Sequence, residues 1–114
     1  MMNRYFKREE FACKCGCGFA VVDYELLEVL TSVREHFGNA VIINSSARCE
    51  AHNKAVGGAD GSKHKLGIAA DIFVKGFTAE NVYSYLDSKY PKKYGIGKYR
   101  TFTHIDVRAG KARW

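Results

Sequence analysis

No apolar run in the chain approaches the ~20 residues that a membrane-spanning helix needs. The leading residues, Met1-Met2-Asn3-Arg4-Tyr5-Phe6-Lys7, lack the apolar core of a signal peptide. A site of action outside the cytoplasm would then depend on a separate agent of release. There is one proline, and no low-complexity segment, internal repeat or linker. Basic residues outnumber acidic ones, 18 to 12, yet they are scattered and form no long run. Scatter of this kind argues against a nucleic-acid binder, while a net charge of +6 still favours anionic partners such as a cell wall. The hydrophobic share of 46% excludes a disordered chain. One domain spanning residues 1–114 is expected.

The Cys-x-x-Cys pair of common structural zinc sites is missing as well. Cys13, Cys15 and Cys17 alternate, and Cys49 stands apart. In an extended segment the first three would share one face. One of them could pair with Cys49 under oxidising conditions, and the same residues could equally be small buried hydrophobes.

What is present reads as alternating elements. Residues 1–22 form an irregular or extended lead, with Phe6, Phe11 and Phe19 as anchors on the core. Asp23 caps a helix with Leu26, Leu27, Leu30, Val33 and Phe37 on its apolar side, and Gly38 ends it. His36 belongs to the surface of that helix. Ala40 to Asn44 is a β-branched strand. Glu50 to Val56 is a short helix stopped by Gly57-Gly58, and Ala69 to Val74 is a second strand. Thr78 caps a helix carrying Val82, Tyr83, Leu86 and Tyr90, with Pro91 beyond it. Tyr94 to Tyr99 and Thr101 to Arg108 read as strands, and Ala109-Gly110 turns the last into a short tail. The class is α+β.

Two pieces carry chemistry. Ser62-Lys63-His64-Lys65-Leu66-Gly67-Ile68-Ala69-Ala70-Asp71 places a histidine and a carboxylate seven residues apart, with Gly67 and two alanines between them. His104 and Asp106 form a second pair in a strand-like run. A catalytic zinc needs three protein ligands and one open position. His64 in a turn, Asp71 at the head of a strand and His104 on a neighbouring strand would supply the three. A zinc so held lowers the pKa of a water to roughly 7 and polarises a carbonyl.

Ser62-x-His64-x-x-Gly67-x-Ala69-x-Asp71 is preceded by Arg48-x-x-x-His52-Asn53-x-x-Val56-Gly57-Gly58 and followed by His104-x-Asp106. This pattern resembles the zinc D-Ala-D-Ala carboxypeptidase family, which includes phage endolysins that cut the L-Ala–D-Glu bond of peptidoglycan. Phe11-x-Cys13-x-Cys15-Gly16-Cys17 extends the likeness to small phage-type members.

The resemblance implies a Hedgehog/DD-peptidase-like α+β fold with a small antiparallel sheet flanked by helices. It implies Zn2+ on His64, Asp71 and His104. Arg48 would be a catalytic and substrate-binding cation, and Ser62 would line the site. His52 and Asn53 would hold the Arg48 loop. Many members carry an acidic base three residues before the last histidine, where this chain has Thr101. Asp106 is therefore the expected acid/base, with an orienting role or a pairing with Arg108 as its alternative. The implied function is a monomeric peptidase of peptidoglycan stem peptides that binds neither nucleic acid nor membrane stably and works at the wall after release. The second reading is a non-catalytic zinc module that binds wall peptide or a protein partner.

Overall fold

The structure, a computed structural model, describes residues 5–18, 20, 22–58 and 63–114. Phe19 and Ser62 lie outside the described residues, as does the side chain of His52. A 3-10 turn, Arg8–Phe11, opens the fold, and Phe6 and Phe11 are buried as anchors.

Helix α1 spans Tyr24–Phe37 because both of its ends are encoded locally. The Asp23 carboxylate accepts from the backbone N–H of Glu25 and Leu26, which have no partner inside the helix. Gly38 stops it in the left-handed region at φ 72°. Strand β1 is Val41–Ser45 and helix α2 is Glu50–Ala55. A 3-10 turn at Lys63–Leu66 leads into β2, Ala69–Val74. Helix α3, Ala79–Lys89, begins in a reciprocal box in which Thr78 and Asn81 each cap the other's backbone N–H. Strands β3, Tyr94–Lys98, and β4, Thr103–Asp106, follow.

The sheet order is β1-β2-β4-β3 with antiparallel pairing throughout. A fifth strand, β5 (Lys111–Arg113), adds to the outer edge of β3 in parallel. The sheet is therefore mixed rather than wholly antiparallel, and the expected tail is a strand. Trp114 donates its N–H to the Ile96 carbonyl, and its own carbonyl accepts from Lys98 N–H.

Strand alternation divides the sheet by chemistry. One face carries Val41, Ile43, Ala70, Ile72, Val74, Ile96 and Ile105, all buried in the core with Leu26, Leu30 and Val33 of α1 and Val82 and Leu86 of α3. Each fully buried aliphatic there contributes about 1.5–3 kcal/mol relative to exposure. The other face carries Asp71, His104 and Asp106. Asp71 pairs with His104 across β2 and β4, while Gly97 and Gly95 of β3 stand opposite His104 and Asp106. A register break between Ile43 and Ser45 brings Ser45 opposite Asp71. Among the described residues, no helix is long and apolar enough to cross a membrane.

Candidate metal centre and active site

Asp71 is the hub of the polar face. Its Oδ1 lies 2.9 Å from His104 Nδ1, and its Oδ2 lies 3.3 Å from His64 Nε2 and 3.4 Å from an Arg48 Nη. His64, Asp71 and His104 are buried, and their donor atoms lie within 4.8 Å of one another. Burial pushes the Asp71 carboxyl up, but hydrogen bonds from His104 and His64 outweigh it and hold the carboxyl well below the usual range.

Each imidazole is oriented from behind. His64 Nδ1 lies 2.8 Å from the Ser46 carbonyl. A carbonyl only accepts, so Nδ1 carries a proton and Nε2 is the ring atom that faces Asp71. His104 Nε2 donates to Asp106 Oδ2 at 2.7 Å, which leaves Nδ1 as the ring atom facing Asp71. Burial opposes protonation of His104, but Asp106 and Asp71 more than offset it and raise its pKa. Two nitrogens and a carboxylate, with the far ring nitrogens fixed by a carbonyl and a carboxylate, make a donor set that fits zinc.

Asp106 stands at the other end of the His104 ring. Its side chain is fully buried, and it lies behind His104 rather than on the cleft. Oδ1 accepts from Arg108 Nε at 2.7 Å, and Oδ2 accepts from both Arg108 Nη2 and His104. Burial raises its pKa, but these donors prevail and keep it well below the usual range. This placement suits the orienting role, the alternative named for it above. Thr101 is exposed in a turn and supplies no replacement.

Arg48 follows β1 and is pinned at three points. Nε donates to Ser45 Oγ at 3.1 Å, Nη1 to Asn53 Oδ1 at 3.1 Å, and Nη2 reaches Asp71. Gly58 makes this packing possible, because a Cβ there would lie 2.1 Å from Asn53 Oδ1 and 3.0 Å from the guanidinium. The Arg48 N–H also donates to the His64 carbonyl, tying the two site segments together.

A cleft of about 530 Å³ opens over these groups, lined also by Lys63, Tyr99, Phe102, Arg108 and Trp114. Trp114 lies against the His104 ring at 5.1 Å, and the Arg108 guanidinium lies over the indole at 5.4 Å. Tyr99 stacks on Phe102 at 4.5 Å and accepts from Trp114 Nε1. The sequence motifs did not single out this aromatic wall. Its signal is the spacing of Gly95 and Gly97, whose missing side chains leave room for Asp106 with Arg108 and for Trp114 respectively.

A sequence profile of the peptidase M15 family matches residues 4–106, nearly the whole chain. The chain belongs to the peptidase M15 family. No curated protein sequence matches it. Membership supports a zinc-dependent metallopeptidase, and the His64–Asp71–His104 cluster is a place in this M15 chain where zinc can bind. Arg108 and Trp114 lie beyond the matched range.

Proposed function

We propose that this M15 peptidase hydrolyses an amide bond of peptidoglycan stem peptides, as a D-Ala-D-Ala carboxypeptidase or an L-Ala–D-Glu endopeptidase of endolysin type. The observation that carries the reading is the convergence of His64, Asp71 and His104 beside Arg48 in an open cleft. Zinc held by the three would supply Lewis acidity toward a carbonyl and a water. Ser46 and Asp106 keep the two imidazoles in the tautomers that such binding requires.

Arg48, held rigid by Ser45 and Asn53, presents a fixed positive charge where the scissile carbonyl oxygen gains negative charge. Lys63 and Arg108 on the cleft suit the carboxylates of a stem peptide, and the Tyr99–Phe102 pair offers an apolar wall. Ser62 is kept as a substrate contact on the resemblance alone. The protein would act as a monomer at the wall after release.

Zinc-replete protein incubated with peptidoglycan is expected to release new amino termini, and a chelator is expected to stop it. Mass spectrometry of the muropeptides identifies the bond cut. A replete, folded protein that releases nothing rejects the proposal. A specific observation favours the second reading, a binding module. Among the described residues lining the cleft, Asp71 is the one carboxylate, and it belongs to the proposed metal set. Retention of the protein on peptidoglycan without cleavage would establish that reading.

A further inference from the structure

The cysteines form a cluster beside Arg48, and none of them lines the cleft. Of the two forms expected for the lead, irregular or extended, residues 13–17 take the irregular one. They turn, with Gly16 N–H donating to the Cys13 carbonyl and Gly16 and Gly18 at φ 84° and 90°. The turn gathers alternate side chains toward Cys49. Sγ–Sγ distances are 3.5 Å for Cys13–Cys15, 3.7 Å for Cys13–Cys49 and 3.6 Å for Cys15–Cys49. Cys17 Sγ completes a set of four sulfurs within 4.8 Å of one another. No disulfide joins these four residues.

These separations decide between two chemistries. A disulfide needs its sulfurs at about 2.05 Å. Closing one pair would pull it out of a nearly even group and leave two thiols stranded. Four thiolates bound to zinc at about 2.3 Å in a tetrahedron lie about 3.8 Å apart, close to the spacing seen. The Cys49 N–H donates to Cys13 Sγ at 3.4 Å, the kind of backbone contact that steadies a metal-bound thiolate.

We propose that Cys13, Cys15, Cys17 and Cys49 bind a second, structural zinc that fastens the leading segment to the segment carrying Arg48. Cys49 directly follows Arg48, and the adjoining Ala47 N–H already donates to the Phe11 carbonyl. The metal extends these backbone contacts into a clamp. Arg48 is then fixed through its side chain by Ser45 and Asn53 and through the neighbouring Cys49 by the metal. Soft thiolate donors select zinc over magnesium or calcium. Cys15 and Cys17 are exposed, and metal binding would also shield them from oxidation.

The test reads metal and not activity, so it stands apart from the proposed peptidase function. Full-length zinc-replete protein is expected to carry two zinc ions per chain by elemental analysis. A His64→Ala/His104→Ala variant should keep one, and Cys15→Ser/Cys17→Ser should lose one. Cobalt-loaded wild type should show thiolate-to-metal charge-transfer absorption, which the serine variant lacks. Cobalt-loaded wild type without that absorption overturns the proposal whether or not the variants fold. So does iron in place of the second zinc, or a thiol count in denaturant that reveals a disulfide.

Discussion

A carboxylate with both oxygens engaged accepts a substrate proton only by giving up a partner. Asp106 is held by His104 and by three N–H groups of Arg108, and Gly95 is kept bare above it. An orienting carboxylate and a catalytic acid/base make different predictions for Asp106→Asn. The orienting role predicts that zinc affinity falls by about 10–100-fold, measured by competition with a chromophoric chelator. The acid/base role predicts unchanged zinc affinity with lost turnover, and that result would reject the orienting role. His64, Asp71, His104 and Arg48 were legible in the sequence because residue types and spacings mark them. For Asp106 the sequence left two roles open, because the choice between them depends on depth and on Arg108, both set by tertiary packing.

Helices α1 and α3 were legible as elements because their signals are local: Asp23, Gly38, and the Thr78–Asn81 box all lie within a turn of the ends they define. Strand β5 was not, because three residues are too few for alternation to register, and its partner β3 lies elsewhere in the chain. The glycines of β3 carried a signal that only the neighbouring elements explain. At Gly97 a Cβ would stand 2.3 Å from Trp114 Nε1, whereas at Gly110 it would meet nothing within 4 Å. Gly97→Ala is therefore expected to push the indole off His104 and cost about 1–3 kcal/mol from overpacking. Trp114 is the sole tryptophan, so its fluorescence reports the displacement directly. Gly110→Ala is the control, with unchanged emission. Unchanged emission in Gly97→Ala as well would show that the aromatic wall is not seated against β3.

The two faces of the sheet set how the whole molecule answers to metal. The helical face is closed by aliphatic side chains that need no ion. The polar face is held by hydrogen bonds radiating from Asp71, which join the His64, Arg48 and His104 segments even without metal. Chelation should therefore loosen one face and spare the other. Zinc at a hundredfold its Kd stabilises the fold by about 2.7 kcal/mol through mass action alone. In a chain of this size, removing that much lowers Tm by on the order of 10 °C. The far-UV circular dichroism of α1 and α3 should persist after chelation. Hydrogen exchange should quicken at the Arg48 and Gly67 amides, both of which donate to the His64 carbonyl. Amides inside α1 should keep their protection. Loss of helical signal on chelation would instead mean that the metal organises the entire fold, and that the aliphatic face cannot stand without it.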